Sequence, residues 1–543
     1  MSSLAGLLQQ PTTRQLLAGT ALLFLTAFYS PLTVLMLTPV YGSAPAHIFH
    51  AYGLALIGAA GWFLKDHIQR LTGRQALYLV PVVAFWVPTV QTFLFASSSV
   101  LGNPFGAVVT EVISYYPLVL LSVASASKLV QAGLDLGRHG EAVVEHVPLV
   151  VTYVIYKTGE KFAKLFLAKF IGTTFFFSRV GLQLLLPVLY SAIAPSKLLL
   201  LAIPSLLFSM TSNVHMHTGA LNSFLNDEGF DLLARQDSAT GYISVLDNLA
   251  DGFRVMRCDH SLLGGQWTKM PQNYHPAVMD PIYSVFAMLE AIRLIETDHG
   301  EPRVDANSKA LVIGLGVGTT PSALIHHGIE TTIVEIDPVV HKFATEYFHL
   351  PSNHIAVIED ATTFVQRTPP AQYDYIVHDV FTGGAEPLEL FTLEFLENVG
   401  ALLKDDGVIA INYAGDISLY PAALTVRTIQ RVFPTCRIFR EASDSDLTTD
   451  FTNMVIFCKK SAATPLTFRA PVTADYMGSK FRQTYLVPKQ EIDTSRFEPI
   501  EKGGRRFLLS KETHLLGKYQ DRAALEHWNI MRHVLPDLVW ENW

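Results

Sequence analysis

Cysteine is scarce in this 543-residue chain: Cys258, Cys436 and Cys458 are all there is. Three widely spaced thiols, an odd number, make neither a disulfide framework nor a zinc site, and they suit a reducing compartment. No Asn-x-Ser/Thr acceptor occurs, which goes with a cytosolic face. Charge is scarce too. At 16% charged against 50% hydrophobic residues, a disordered chain and an ordinary soluble enzyme throughout are both excluded. A basic excess is lacking: 40 Lys and Arg against 48 Asp and Glu leave −8, which argues against a general nucleic-acid binder. The length calls for two or more domains.

The charge is unevenly placed. Residues 1–212 carry 12 basic and 6 acidic side chains, a balance of +6, and the rest of the chain carries −14. The first part is a multi-pass α-helical membrane domain by its apolar runs at about 15–37, 46–64, 76–96 and 105–126, each near the length that crosses a hydrocarbon core. Lys65, Arg70, Arg74, Lys128 and Arg138 fall in alternate loops, so the positive-inside rule puts the N-terminus in the cytoplasm. Residues 142–164 read equally as an interfacial helix or a span, and 165–211 as two or three more, for six to eight in all. Glu111 is a carboxylate inside an apolar run. With no transporter repeat, anchoring is the simplest role for this part.

From about 213 the pattern is that of a globular α/β protein. Residues 213–275 hold a linker and a small antiparallel β domain, and 276–460 a doubly wound, Rossmann-like sheet of five βα-type strands closed by an antiparallel hairpin. A C-terminal extension, 461–543, ends in an amphipathic run near 516–536. The first βα turn reads Gly314-Leu315-Gly316-Val317-Gly318-Thr319-Thr320-Pro321. Its glycines allow a sharp turn and close approach of a ligand, with Thr320 as the expected cap and Pro321 as the expected first helical residue. The GxGxG spacing favours an S-adenosyl ligand over NAD. The next strands end in Glu335, placed for ribose hydroxyls, in Asp360, placed for an adenine amino group, and in Asp379. His215-Met216-His217 lacks a third ligand nearby, so it reads as linker, and no metal site is expected.

These residues resemble the spermidine/spermine synthase family, the polyamine aminopropyltransferases, in its divergent membrane-fused branch. The resemblance runs over about 236–415: SATGYISVLD is similar to the family's first strand, RVMRCDHSLLGGQ to its second hairpin, ALVIGLGVG to its cofactor turn, and VEID and IEDA to its ribose and adenine acids. YDYIVHDVFTGGAEPLELF resembles the catalytic strand and loop. It implies a Rossmann-like S-adenosylmethionine methyltransferase-type sheet behind a small N-terminal β domain, with Asp379 as base. The departures are Val317 where the family carries Asp, Thr240-Gly241 where it carries Tyr-Gln, and a catalytic loop that keeps Asp379 and loses the second acid. Glu386 is the candidate substitute for that acid, and Tyr283 the candidate orienter.

The resemblance therefore implies a membrane-anchored transferase in polyamine biosynthesis. It would move an aminopropyl group from decarboxylated S-adenosylmethionine to a polyamine. A sulfonium is already a good leaving group, so such an enzyme aligns the amine and removes its proton, work for a carboxylate. The alternatives are an S-adenosylmethionine-dependent methyltransferase on the same fold, and a non-catalytic membrane scaffold or transporter with a degenerate nucleotide domain. The partners expected are a polyamine and the lipid bilayer, with a homodimer as a possible state and no nucleic acid. The catalytic part is expected to face the cytoplasm, which requires an even number of spans, six by preference.

Overall fold

In the computed structural model the described residues are 10–543 without 74, 138, 381–386, 442–450 and 499–505. They form two compact units. One comprises 1–228, 237–241 and 532–543, and the other 229–236 and 242–531.

The first unit is helical. Its main elements are α1 (Pro11–Tyr41), α2 (Ser43–Ile48), α3 (His50–Phe63), α4 (Lys65–Thr72), α5 (Gln75–Phe95), α6 (Phe105–Ser114), α7 (Tyr116–Leu134), α8 (Glu141–Phe170), α9 (Arg179–Ile193) and α10 (Ile203–Thr211). α1 packs along α7 and α8, and Leu22, Leu32, Tyr115, Val123, Leu186 and Tyr190 lie in the shared core. Small residues bring the helices close: a Cβ on Gly133 would sit 2.7 Å from the Cβ of Leu16. Against the expected six to eight spans, three helices (α1, α5, α7) are long and apolar enough to cross a membrane, or four if the bent α3–α4 pair is one span. The run at 105–126 breaks at Tyr115 into α6 and α7, and 142–164 lies inside one continuous helix, α8. Arg179, an interruption in the apolar pattern, is fully buried. Its Nε donates to Asp237 Oδ1 at 2.7 Å. His215 is packed against the Trp543 ring at 4.7 Å and bonds the Trp543 carbonyl oxygen at 3.1 Å, which is a core role.

The second unit joins two sheets. A four-stranded antiparallel sheet, in order β1-β2-β3-β4, consists of β1 (Phe230–Asp237), β2 (Tyr242–Asn248), β3 (Phe253–Cys258) and β4 (Ser261–Trp267). Periodicity over 279–297 suggests one helix, but only α11 (Ser284–Leu289) is α-helical, followed by a 3-10 turn. The large sheet has β5 (Lys309–Ile313), β6 (Glu330–Glu335), β7 (Ile355–Ile358), β8 (Tyr373–His378) and β9 (Leu403–Asp416) in parallel. The connecting helices are α12 (Thr319–His326), α13 (Pro338–Tyr347), α14 (Ala361–Arg367) and α15 (Leu393–Leu402). After α16 (Tyr420–Val432), β10 (Thr435–Arg440) and β11 (Phe451–Lys459) form the expected antiparallel hairpin, and a short β12 (Gln490–Ile492) adds to its edge. The sheet order, β12-β10-β11-β9-β8-β5-β6-β7, is Rossmann-like and methyltransferase-type. Because β5 has both β6 and β8 as parallel neighbours, the chain reverses direction across the sheet between β5 and β8, the point where open α/β sheets take their ligands.

One expectation is overturned here. Register pairs Cys436 with Cys458 across β10 and β11, and the two form a disulfide, whereas the buried Cys258 is in none. The residues are 22 apart in sequence, so the partnership depends on strand pairing that spacing does not reveal. Cysteine usage therefore gives no support to a reducing compartment. The amphipathic run near 516–536 forms α17 (Gly517–Val534), whose Trp528 stacks on His260 and whose His527 Nε2 lies 3.1 Å from Ser261 Oγ.

Candidate functional site

The site begins where β5 ends. Gly314, Gly316 and Gly318 all have positive φ (86°, 54° and 83°), so the turn needs residues without a Cβ penalty. At two of them space is decisive as well: a Cβ on Gly314 would lie 2.0 Å from the Asp379 carbonyl oxygen, and one on Gly316 2.4 Å from that of Leu263. The turn is thus pressed between the start of the loop after β8 and strand β4. Val317, where the family carries an acid, is buried with Ile243, Val245 and Met256 against the small sheet. That position has become apolar packing. The cap differs from expectation: left-handed Gly318 is the N-cap of α12, Thr320 lies inside the first turn, and Pro321 is the third helical residue. The glycine conformation starts the helix two residues earlier than a cap at Thr320 would.

The strand-end acids divide by role. Glu335, at the end of β6, is 7% exposed and accepts from the Leu315 and Asp337 backbone N–H groups at 2.9 and 2.8 Å. Burial pushes its carboxyl up to about 7, against the pull of those bonds. The backbone N–H of Ile336 adds to these, and the carboxylate still keeps lone-pair capacity, which is what a ribose diol requires. Asp360 is exposed and caps α14, accepting from Thr362 N and Thr362 Oγ1 at 2.6 Å, both on Oδ1. Asp337, its counterpart after β6, caps α13.

Asp379 stands at the switch point, its N–H donating to Ile313 O at 2.9 Å. Burial raises its carboxyl to about 6, opposed by one hydrogen bond from Asn412. That partner could not be read from the sequence. His378 pairs with Ile411 in the β8–β9 register, so Asn412 comes beside Asp379, 33 residues away, and donates from Nδ2 to Oδ1 at 2.9 Å. Asn412 is 7% exposed, and its Oδ1 has no partner among the described residues. Asn412, the residue that holds Asp379, thus brings a buried acceptor oxygen of its own. A ligand carrying N–H donors answers it and the Asp379 carboxylate. His378 is fully buried against Phe391 and Phe395, lowered by burial to about 4, and serves as neutral packing.

The remaining candidates are not joined to this pair. Tyr283 is the N-cap residue of α11, its hydroxyl buried without a hydrogen-bond partner among the described residues and pushed up to about 12 by burial and by Glu441. No contact among the described residues links it to Asp379. Glu441, which sequence reasoning passed over, accepts from Ser284 N at 2.8 Å and Val285 N at 3.2 Å and so fixes that helix start. Glu386 lies outside the described residues. A cavity of about 450 Å³ borders Val317, Gly318 and Thr319 and continues to His326 and His349. None of the three acids lines it. Among the described residues no group of three or more His, Cys, Asp or Glu could hold a metal ion.

The spermine/spermidine synthase domain matches residues 297–439. The chain is 62% identical to the N-terminal histidine N-methyltransferase of Emericella nidulans over 100% of both chains. It is 34% identical to a polyamine aminopropyltransferase of Vibrio vulnificus over 25% of this chain and 48% of that one. Among solved structures, a probable spermidine synthase from Corynebacterium glutamicum is 16% identical, with a TM-score of 0.39, over 51% of this chain and 95% of that one. These findings overturn the aminopropyltransferase reading and its polyamine partner. The sequence likeness to the Vibrio vulnificus aminopropyltransferase covers a quarter of the chain, whereas the likeness to a methyltransferase runs its full length. The cofactor is accordingly S-adenosylmethionine, not its decarboxylated form. The glycine turn, the buried Glu335 with open lone pairs and the strand-end Asp379 fit it. By full-length identity, the chain belongs to the family of the N-terminal histidine N-methyltransferase of Emericella nidulans.

Proposed function

We propose that this protein transfers a methyl group to a nitrogen of the N-terminal histidine of a polypeptide. The full-length 62% identity carries the reading, and the acceptor pair at the end of β8 and β9 supports it. When bound, S-adenosylmethionine supplies a methyl group on a sulfonium, open to in-line attack by a nitrogen lone pair. Gly314, Gly316 and Gly318 give its amino-acid end a backbone to lie against, and Glu335 receives the ribose hydroxyls. Asp379 and Asn412 take N–H groups of the histidine, orienting it and drawing a proton away so that a lone pair is available. A polyamine would present two such amines some distance apart, and the second acid that holds the far one in aminopropyltransferases is missing after Asp379.

The test is incubation of the full chain with S-adenosylmethionine and a peptide beginning with histidine, followed by mass spectrometry. One added methyl is expected, located by fragmentation to residue 1. The same peptide with one residue placed ahead of the histidine should stay unmodified, and methylation of both alike would overturn the reading.

We also propose that the helical unit spans a membrane and that the catalytic unit faces the oxidising side. Three apolar helices of spanning length support the first point. The Cys436–Cys458 disulfide supports the second. So does the substrate's chemistry, because ribosomal chains begin with Met and an N-terminal histidine has to be exposed by cleavage. In intact membrane vesicles, protease should spare the region around residue 300 until detergent is added. Cleavage from the cytoplasmic side without detergent would contradict this sidedness.

A further inference from the structure

The cavity of about 450 Å³ runs from the glycine turn along α12 and past the end of α13. Its buried wall includes Gln266 of β4, Val317, Gly318 and Ser322, and the half-buried Thr319 borders it. None of the described residues lining it is Asp, Glu, Lys or Arg. Gln266 and Ser322 are each 6% exposed. The Gln266 backbone is fixed from both sides, paired with Arg254 of β3 and bridged to Pro281. Its side-chain Nε2 nonetheless has no hydrogen-bond partner among the described residues.

A buried amide N–H without a partner is costly, so its place in a cavity wall calls for a ligand that accepts from it. The start of α12 turns further donors to the same space. Thr319 and Thr320 open the helix, where N–H groups have no intrahelical acceptor, and Pro321 has no N–H. The first bond inside the helix runs from Ser322 N to Gly318 O at 3.0 Å. The positive end of an eight-residue helix and an unpaired amide therefore border one cavity with no acidic side chain in its wall. Such a wall suits a carboxylate.

We propose that this cavity receives the α-carboxylate of S-adenosylmethionine, with Gln266 as the residue that selects it over the decarboxylated form. The two compounds differ in that carboxylate alone, and the cavity begins at Gly318, in the turn that takes the cofactor's amino-acid end. The proposal rests on the S-adenosylmethionine assignment and is independent of which nitrogen is methylated. Val317 completes the selection. An acid there, as in aminopropyltransferases, would put a negative charge on the same wall, repelling the carboxylate and favouring a cofactor without one. Valine removes the repulsion and leaves the donors. A carboxylate borne by the acceptor polypeptide would suit the same donors, and binding measured with and without acceptor separates the two sources.

The experiment is calorimetry of the full chain in detergent with three ligands and no acceptor. These are S-adenosylmethionine, its decarboxylated form, and methylthioadenosine, which lacks the amino-acid end altogether. The wild type should bind S-adenosylmethionine about 10- to 100-fold tighter than the decarboxylated form, the worth of hydrogen bonds to a charged group. Gln266→Leu should weaken S-adenosylmethionine about tenfold and leave the other two unchanged. Gln266→Glu, close in shape but charged, should weaken S-adenosylmethionine further and leave the decarboxylated form as tight or tighter. Unchanged methylthioadenosine binding reports that each variant is folded around an intact nucleoside site. Equal losses for the two sulfonium ligands in Gln266→Leu, no loss for either, or a wild type that does not distinguish them would overturn the proposal. So would a Gln266→Leu variant that weakens only the binding of an acidic acceptor peptide, since the carboxylate would then be the acceptor's.

Discussion

Asp379→Asn lowers kcat/KM for a peptide beginning with histidine about 10²- to 10⁴-fold, the usual worth of a positioned proton acceptor. Cofactor affinity changes far less. The pH profile separates this from a folding defect. Asp379 works as a carboxylate, and burial holds its carboxyl near about 6, so activity of the wild type rises as pH passes upward through that value. In Asp379→Asn that limb is absent from the residual rate. Asn412→Leu moves it in a defined direction. The Asn412 N–H favours the charged form of Asp379, so removing it raises the carboxyl further and shifts the limb to higher pH. A limb that stays in place in both variants would assign the ionisation to another group.

Glu335→Gln produces opposite effects on binding and on stability. Affinity for S-adenosylmethionine falls about 10- to 100-fold with loss of charge-assisted bonds to the ribose hydroxyls. The ligand-free protein becomes more stable at pH 8. The carboxyl stands at about 7 when folded and near about 4.3 when unfolded. Between these values the native state holds a proton that the unfolded state has lost, so stability falls as pH rises from the unfolded value to the folded one, then levels off. At pH 8 the charged form costs about 4 kcal/mol, which glutamine removes. Below the unfolded value the two proteins should unfold alike. Denaturant titrations at low and high pH, with calorimetry of cofactor binding, read both halves, and equal stability at pH 8 would show that the carboxylate is solvated.

What the sequence displayed and what it hid follow from distance along the chain. The glycine turn, Glu335 and Asp360 are each defined by a few consecutive residues at the end of a strand, so their positions around the sheet were legible. Asn412 beside Asp379, Cys436 against Cys458 and His50 against Glu111 depend on register between separated elements, and no local pattern carries that. The α12 cap was misread because Gly318 and Thr320 are both good candidates and only backbone conformation chooses between them. The reaction was misread for a different reason. Residues 297–439 preserve the cofactor half of a fold shared by aminopropyl and methyl transfer, while the substrate half is where the two chemistries part. Val317 and the absent second acid after Asp379 were signs of that parting. Val317 has joined the core under the small sheet, and the sequence Asp379-Val380-Phe381-Thr382-Gly383 lacks the second acid of the aminopropyltransferase loop.

The central claim, methyl transfer to an N-terminal histidine, is tested most directly by product analysis with competing acceptors in one vessel. The full-length protein receives S-adenosylmethionine and its decarboxylated form together, with spermidine, a peptide beginning with histidine, and the same peptide N-acetylated. The account predicts one methyl on the free N-terminal histidine peptide, lost in Asp379→Asn, and no change in the other acceptors. An aminopropyl adduct on spermidine, or equal methylation of the acetylated peptide, would contradict it.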